Sequence, residues 1–310
     1  MSRVLVIGSS NTDMILRVPR IPRPGETVLG RDFAMAGGGK GANQAVAAAR
    51  AGGRVIFVAR VGDDLFGERA LAAFAAAGIE TRFVIRTPSA PSGVALIDVD
   101  DRGENCISVA SGANALLSPS DVEGAAEAFA AVDLVLLQLE SPLETVEAAA
   151  RKAKAMGRPV ILDPAPARAL DDELLALVTL LTPNEHEAEY LTGAAVTDAA
   201  GAARAARRLR ERGAAGVVVT LGKRGAYASA PGLEGFQPAF DVEPVDTTAA
   251  GDVFSGALAV ALAERRPLAE SLRFAQAAAA ISVTRAGAQP SAPTRAEIDS
   301  FLCNSDPLLC

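Results

Sequence analysis

The amino-acid sequence predicts an α/β protein: a doubly wound, mostly parallel central sheet with helices on both faces, and a small antiparallel β lid. Short apolar runs rich in β-branched residues alternate along the chain with long alanine-rich stretches. Such βαβα alternation is typical of a parallel sheet covered by helices. Two other stretches alternate polar and apolar residues around turns and contain no convincing helix. These two stretches predict the lid.

Six short segments are apolar at consecutive positions, as strands buried on both faces of a parallel sheet are. The predicted strands are residues 4–7, 55–58, 134–137, 160–162, 178–181 and 217–220. The alanine-rich stretches between them have good helix propensity and predict helices. The clearest predicted helices are residues 41–51, 65–77, 142–156 and 199–212.

The lid is predicted to come from residues 12–36 and 82–110, two separate parts of the chain. A length of 310 residues would allow two domains. No linker, low-complexity tract or internal repeat divides the sequence, however. We therefore expect one α/β domain spanning residues 1–310, with the lid emerging from its main sheet to cover a site.

Composition limits the partners that the chain can have. It carries 30 basic and 37 acidic side chains, for a formal net charge of −7. This balance argues against a nucleic acid or a membrane surface as partner, because both need a basic face. The apolar run 253–263 is about half as long as a membrane span, so no transmembrane segment is expected.

The scarce residue types exclude several chemistries. A single histidine, His186, rules out multi-histidine metal sites, and it rules out a Ser-His-Asp mechanism unless His186 itself takes part. Three cysteines are too few and too scattered for a disulfide framework. The N-terminus also lacks the pattern of a secretory leader. These features predict a reducing, cytoplasmic location.

The most informative motif is a turn of small residues, 246–252, that runs into a predicted helix. Small side chains at Ala249, Ala250 and Gly251 leave backbone N–H groups accessible at the helix start, where the helix dipole favours an anion. Asp252 lies beside them and could take a proton from an attacking hydroxyl. Phosphoryl transfer requires this combination of positioning and charge stabilisation. The alternative is that Asp252 only caps the helix.

A second motif is the glycine run Gly37, Gly38 and Gly39 before Lys40, at the start of a predicted helix. Glycines allow a polar ligand to approach the backbone closely. The run does not match the GxxxxGK[ST] pattern of a Walker A loop. A tight strand-to-helix turn without a ligand would explain the same glycines.

Polar residues recur directly after the predicted strands, and open α/β sheets bind ligands at that edge. The residues in question are Asn11, Asp13, Glu140, Asn184, Glu187, Thr220 and the segment 221–225. Asn184 and Glu187 are three positions apart, so both can face one side of a starting helix. Oxygen ligands of this kind suit a hydrated Mg²⁺. Each residue alone could instead be a cap or turn residue, but their shared position favours a site.

These motifs resemble those of the ribokinase (PfkB) family of carbohydrate kinases. Residues 246–256 are similar to its C-terminal signature, and residues 37–51 with 62–67 are similar to its N-terminal signature. The likeness continues through residues 8–13, 138–144, 163–168, 182–185 and 284–291. It therefore covers nearly the whole chain, and only residues 303–310 have no counterpart.

The resemblance implies ATP-dependent phosphorylation of D-ribose at its 5-hydroxyl, with Asp252 as general base and an anion hole at Ala249, Ala250 and Gly251. Sugar hydroxyls would be held by Asn11, Asp13, Gly39, Lys40, Asn43, Glu140 and Asp252, with Ala95, Ile97 and Val109 of the lid closing over them. The nucleotide would lie along Asn184, Thr220, Gly222, Gly225, Gly251 and Gln276.

Two metal ions and a homodimer through the β lid are also implied. Mg²⁺ would be bound near Glu187, through water. K⁺ would be held by Asp246, Thr248, Ser282, Arg285, Gly287 and Ser291, several of them through backbone carbonyls. Two residues depart from the family pattern: Gly37 stands where a bulkier residue is expected, and Asp98 stands on the lid where an apolar residue is expected.

Two other functions compete with this hypothesis. One is a sibling kinase that acts on fructose, a nucleoside, deoxyribose or a keto-deoxy sugar acid. Asn11 and Asp13 together favour a polyhydroxy pentose, because a buried hydroxyl-binding set rejects ligands that leave it unpaired. The other is a sugar sensor without catalysis. Intact Asp252, Gly251 and Glu187 argue against a sensor, which needs no base beside an anion hole.

Overall fold

A computed structural model describes residues 2–305 of the chain. Its main sheet has nine strands in the order β13-β12-β11-β10-β9-β8-β1-β4-β5. These strands are β1 (Arg3–Ile7), β4 (Arg54–Gly62), β5 (Glu80–Thr87), β8 (Leu134–Leu137), β9 (Val160–Leu162), β10 (Leu180–Leu181), β11 (Val217–Thr220), β12 (Gly225–Ala230) and β13 (Leu233–Pro238). All neighbours pair in parallel except β11 with β12 and β12 with β13. The predicted fold class is confirmed.

The helices lie on the two faces of this sheet. They are α1 (Lys40–Arg50), α2 (Leu65–Ala76), α3 (Pro119–Gly124), α4 (Ala126–Ala131), α5 (Leu143–Ala155), α6 (Asp172–Leu175), α7 (Glu185–Thr192), α8 (Ala199–Glu211), α9 (Ala250–Ala263), α10 (Leu268–Val283) and α11 (Arg295–Ser305). Along β1, Val4 and Val6 join one buried apolar cluster, with α1, α9 and α10. Leu5 joins the other, with α5 and α8. Burial on both faces explains the unbroken apolar runs in the sequence.

A second sheet of four strands, which we call the lid sheet, has the order β3-β2-β6-β7. Its strands are β2 (Asn11–Arg17), β3 (Asp32–Gly38), β6 (Gly93–Val99) and β7 (Asn105–Ala110). It consists of two antiparallel hairpins whose inner strands, β2 and β6, pair in parallel. β2 follows β1 closely and β3 leads directly into α1, while β6 follows β5 and β7 leads back towards α3, so each hairpin of the lid sheet is connected to the main domain at both ends.

The structure corrects some predicted boundaries. Residues 82–87, which the sequence assigns to the lid, belong to β5 at the edge of the main sheet. Because β5 is an edge strand buried on only part of its surface, its sequence alternates like a lid strand. Only Leu180–Leu181 of the predicted strand 178–181 pairs as a strand.

Membrane insertion is not supported by any helix in the part of the chain that the structure describes. None of these helices combines enough length with enough apolar character to cross a bilayer.

Candidate active site

The small-residue turn precedes α9 and has an unusual backbone. Ala249 adopts φ 58°, a left-handed conformation that is strained for a residue with a side chain. The helix begins at Ala250. The N–H of Ala250 donates to Thr247 O at 3.2 Å, whereas the N–H groups of Gly251 and Asp252 have no acceptor among the backbone hydrogen bonds of the described residues. A Cβ added to Gly251 would meet no atom within 4 Å. The first turn of α9 therefore borders open space, as the anion hole requires.

Asp252 is buried in the first turn of α9, with 5% of its surface exposed. Its Oδ2 accepts a hydrogen bond from Asn43 Nδ2 at 2.9 Å, and its Oδ1 accepts one from Gln44 Nε2 at 3.0 Å. Burial raises the pKa of Asp252, while Lys40 and these two amides oppose the rise. The carboxylate is therefore held in place and has increased proton affinity, which suits a general base.

Lys40 and Glu140 join the glycine motif of α1 to the end of β8. The backbone N–H of Lys40 donates to Glu140 Oε2 at 2.9 Å, and Ser9 Oγ donates to the same oxygen at 2.5 Å. Burial lowers the pKa of the Lys40 ammonium, but Asp252, Asp163, Glu140 and Glu187 outweigh it and raise the pKa above its ordinary value. Lys40 therefore stays charged among the acidic groups.

Asn11 and Asp13 lie at the start of β2, where the lid sheet leaves the main domain. Asn11 Oδ1 accepts a hydrogen bond from Asn114 Nδ2 at 2.7 Å. Burial, Glu140 and Asp252 raise the pKa of Asp13 to about 6. A Cβ on Gly38 would lie 2.1 Å from Asp13 Oδ1, and one on Gly39, at φ 85°, would lie 2.7 Å from Asn11 N. The glycines are thus needed for the close approach of α1 to β2.

The predicted lid residues share one face of the lid sheet with Asp13. Asp13 is opposite Ala95, which is in turn opposite Val109, and Ile97 lies two positions along from Ala95. Ala95 is buried, whereas Val109 is 53% exposed. This face is the one turned towards the site.

A cavity of about 200 Å³ lies between the first turn of α9 and the carboxyl ends of the strands. Its lining includes these predicted residues: Lys40, Asn184, Glu187, Thr220, Ala249, Ala250, Gly251 and Asp252. Asn184 caps α7 and forms a capping box with Glu187, whose two carboxylate oxygens accept from Asn184 N at 2.8 Å and Asn184 Nδ2 at 2.9 Å. The two residues are therefore helix-capping residues and cavity residues at once.

Three residues predicted for the nucleotide lie outside the lining of this cavity. Gly222 opens a short 3₁₀ helix after β11, and Gly225 begins β12 with φ 118°. Gln276 on α10 donates from Nε2 to Gln237 O of β13 at 3.1 Å. The structure places Gly222 and Gly225 just beyond Thr220, whereas it ties Gln276 to the antiparallel edge of the sheet.

The residues predicted for K⁺ meet where the segment before α9 touches the end of α10. Asp246 Oδ1 accepts from Thr248 N at 2.9 Å, and Oδ2 accepts from Gly287 N at 2.8 Å. Ser282 and Ser291 are buried in the same region, and each side chain donates to a nearby backbone carbonyl. The side chain of Arg285 instead donates to Glu297 at 2.6 Å. Only the backbone of Arg285 is therefore available to a cation.

The sequence analysis missed several buried polar residues around Asp252 and Asn11. They are Ser9, Gln44, Asn114, Gln138 and Asp163. Gln44 and Gln138 lie inside quoted motifs, and Asp163 follows a predicted strand, so position at a strand end was the available signal. Across residues 2–305, no group of three or more His, Cys, Asp or Glu side chains could hold a metal alone.

A buried carboxylate beside an open helix start, with a lid sheet above it, is the arrangement that phosphoryl transfer to a hydroxyl group requires. The model of the pfkB family carbohydrate kinases matches residues 1–295. The chain belongs to this family, and the predicted resemblance is confirmed.

Known relatives cover almost the whole chain. A ribokinase of Haemophilus influenzae is 47% identical, over 96% of this chain and 97% of its own length. A deoxyribokinase of Salmonella typhi is 39% identical, over 96% of this chain and 98% of its own length. The solved structure of Arabidopsis thaliana ribokinase complexed with ribose and ATP superposes with a TM-score of 0.90 at 33% identity. The superposition covers 97% of this chain and 99% of the Arabidopsis thaliana chain.

Proposed function

We propose that the protein phosphorylates D-ribose at its 5-hydroxyl with ATP, giving ribose 5-phosphate and ADP. The observation that carries the proposal is the buried Asp252 carboxylate, which is fixed beside the open first turn of α9. Near-full-length similarity to ribokinases, one of them solved with ribose and ATP, supports this choice of substrates.

Asp252 acts as the general base in this reaction. As the 5-oxygen of the sugar forms its bond to the γ-phosphorus, Asp252 takes the hydroxyl proton, and the bond between the γ-phosphorus and the bridging oxygen breaks to release ADP. The N–H of Gly251 is open to the charge that develops on the transferred group, and the N–H of Ala250 exchanges its hydrogen bond with Thr247 O for one to the same group. Lys40, which remains an ammonium ion, adds positive charge to the same cavity.

The sugar is held by the polar set where β2, α1 and β8 meet. Asn43 Oδ1 is buried and has no hydrogen-bond partner in the part of the chain that is described, which leaves an acceptor for a sugar hydroxyl. Asn11, Asp13, Gly39, Lys40 and Glu140 surround the same region, and Ala95, Ile97 and Val109 cover it from the lid sheet. Buried groups of this kind disfavour a sugar that leaves them unpaired.

The nucleotide lies along the six residues that the family resemblance implies: Asn184, Thr220, Gly222, Gly225, Gly251 and Gln276. Glu187 faces the same cavity, and both its oxygens already accept hydrogen bonds. It therefore fits Mg²⁺ bound through water better than direct ligation, as Mg²⁺ commonly keeps several waters beside phosphates. The ion would neutralise charge on the phosphates.

We assign a weakly hydrated cation such as K⁺ to the loop around Asp246, with Thr248, Ser282, Arg285, Gly287 and Ser291 as its other ligands, several of them through backbone carbonyls. In support, the Asp246 carboxylate accepts from the backbone N–H groups of Thr248 and Gly287 and so holds the two segments together. The ion would stabilise the turn before α9. We expect turnover to rise several-fold when K⁺ replaces Na⁺ at constant ionic strength. Asp246→Ala should abolish the response, and equal rates in both salts would contradict the K⁺ site.

We also propose a homodimer through the outward face of the lid sheet and a cytoplasmic location. The outward face exposes Phe33 (61%), Leu96 (56%) and Met35 (39%) in a single chain. Exposed apolar groups on one face favour association. Asp98 lies on the same face and introduces a charge among these apolar residues.

The test is an ADP-release assay with a panel of sugars. Ribose, deoxyribose, fructose and a nucleoside are compared at equal concentration, and binding of each is followed by thermal shift with and without ATP. The highest kcat/KM is expected for ribose. A preference for deoxyribose or fructose would reassign the substrate within the family. Stabilisation by ribose without ADP release would indicate a sensor and contradict catalysis.

A further inference from the structure

Two buried glutamines, Gln138 and Gln44, form a chain of hydrogen bonds that ends on the buried carboxyl groups of Asp252 and Asp163. Gln138 Nε2 donates to Gln44 Oε1 at 2.6 Å. Gln44 Nε2 then donates to Asp252 Oδ1 at 3.0 Å and to Asp163 Oδ2 at 2.6 Å. Gln44 and Gln138 expose 0% and 1% of their surface. Among the described residues, neither glutamine hydrogen-bonds Asn11, Asp13 or Glu140, so the role of the two glutamines lies in what they do to the carboxylates.

The orientation of the Gln44 amide follows from this arrangement. The Asp252 carboxylate can only accept when ionised, so the NH₂ group of Gln44 faces it and Asp163, and the carbonyl oxygen of Gln44 faces Gln138. Gln138 supplies the donor that this carbonyl oxygen needs. The reverse orientation would place an oxygen against two carboxylates and leave two donors facing each other.

The Gln138 side chain packs closely against the main chain at Gly8. An ideal Cβ on Gly8 would lie 2.0 Å from Gln138 Oε1. The absence of a side chain at Gly8, at the end of β1, thus makes room for this amide. The Gln138 oxygen is buried without a hydrogen-bond partner among the described residues, a cost that a purely structural site rarely retains.

We propose that Gln44, oriented by Gln138, is a positioning residue that holds the Asp252 carboxylate in the geometry needed for proton abstraction. The inference rests on the proposed role of Asp252 as general base. Asn43 fixes the other carboxylate oxygen, and the two amides together stop the carboxylate from rotating. The remaining lone pairs of Asp252 then point towards the sugar hydroxyl. Misplacement of a catalytic group by about 1 Å can cost on the order of 10² in rate.

The first measurement is steady-state kinetics of Gln44→Met and Gln138→Met with ribose and ATP. Methionine keeps a similar volume without any amide hydrogen-bond donor. We expect kcat to fall roughly 10- to 100-fold in Gln44→Met and several-fold in Gln138→Met, with both KM values within about threefold. Because both residues act through one series of hydrogen bonds, kcat of the double variant should be no lower than kcat of Gln44→Met alone. If the losses of kcat in the two single variants multiply in the double variant, the two glutamines act independently, and the proposed chain of hydrogen bonds is contradicted.

The decisive measurement places Gln44→Met in an Asp252→Asn background. A residue that acts only by orienting the Asp252 carboxylate has nothing left to orient, so no further loss of kcat is expected. A general packing defect would lower the residual rate again and overturn the inference. Asn114→Leu is the matched control, since Asn114 is also a buried amide but bonds Asn11 at the sugar end. It should raise the KM for ribose in both backgrounds.

Thermal unfolding of each variant separates folding from catalysis. If Gln44→Met fails to fold, Gln138→Met still tests the inference, because Gln138 donates to Gln44 and not to a carboxylate. If the wild-type protein phosphorylates ribose and Gln44→Met is equally active, the inference is overturned and the proposed function stands. A wild-type protein that phosphorylates no sugar would overturn the proposed function, and the inference with it.

Discussion

The two ends of the candidate site are built differently. At the phosphate end, Asp252, Asn43 and Gln44 are all buried, and hydrogen bonds of 2.9–3.0 Å fix the carboxylate from two sides. At the lid end, all six residues of β7 are exposed, and large apolar side chains such as Leu96 and Ile107 face solvent in the single chain.

This difference separates preorganised chemistry from adaptable binding. Groups that stabilise developing charge must be in place before the reaction, because reorganisation during the reaction would cost energy. A covering sheet instead has to let the sugar enter and leave, so it cannot be tightly packed against the site. Substitutions at the phosphate end should therefore change kcat, whereas substitutions at the lid end should change binding, stability or assembly.

The largest effect is expected from Asp252→Asn. Loss of the base should lower kcat by roughly 10² or more, while ribose and ATP bind within a few-fold of the wild-type affinity. Calorimetric titration of both ligands and single-turnover kinetics measure the two quantities separately. Near-normal turnover in the folded variant would remove Asp252 from the mechanism.

The next effect is expected from Gly251→Ala, which tests whether the first turn of α9 receives phosphate. The added methyl group meets no atom within 4 Å, so the melting temperature should not change. It would occupy space on the cavity side, so kcat/KM for ATP should fall about tenfold. Gly124→Ala, which adds a methyl group to equally open space at the end of α3, should leave the kinetics unchanged. Unaltered ATP kinetics in Gly251→Ala would place the phosphate elsewhere.

Asp13→Asn tests the role of the buried Asp13 carboxyl, at the start of the lid sheet, through the pH dependence of the free energy of unfolding. Because burial, Glu140 and Asp252 raise the pKa of Asp13 to about 6, the native state binds the proton more tightly than the unfolded chain does. Protonated Asp13 therefore makes its full contribution to the free energy of unfolding below about pH 4, and this contribution is lost as the pH rises through about 6. The variant should therefore be more stable than wild type at pH 7.5, by about 1–2 kcal/mol.

This advantage of Asp13→Asn should shrink below pH 6 and vanish near pH 4, as measured by thermal unfolding without ligand. The KM for ribose should rise while the KM for ATP stays nearly constant. Asp98→Asn, on the opposite face of the same sheet, is the control and should change neither. A destabilised Asp13→Asn at neutral pH would mean that this carboxylate supports the fold.

The smallest effect on catalysis is expected from Leu96→Glu on the outward face of the lid sheet. A charge in the proposed dimer interface should shift the protein towards monomer in analytical ultracentrifugation, with kcat reduced at most a few-fold. Leu116→Glu, also at an exposed leucine but outside the lid sheet, should leave the oligomeric state unchanged. A wild-type protein that is monomeric at micromolar concentration would contradict the lid dimer.

Local sequence pattern determined much of this protein. Unbroken apolar runs indicated the central strands because parallel strands are buried on both faces. The small-residue turn with Asp252 indicated the anion hole because only small side chains leave a helix start accessible. The edge strand β5 was misassigned for the same reason: partial burial gives it the alternation of a lid strand.

Only the tertiary structure decided which polar residues meet. Gln44 is separated by 94 positions from Gln138, by 119 from Asp163 and by 208 from Asp252, yet it bonds all three. These contacts depend on the order of β8, β9 and β1 in the sheet and on the packing of α1 against α9. Periodicity reports whether a residue is buried but not which distant residue it faces. The sequence therefore indicated Asp252 as the candidate base and, through the family resemblance, Asn43 as a site residue. It gave no indication that Gln44 meets Asp252 or that Gln138 meets Gln44.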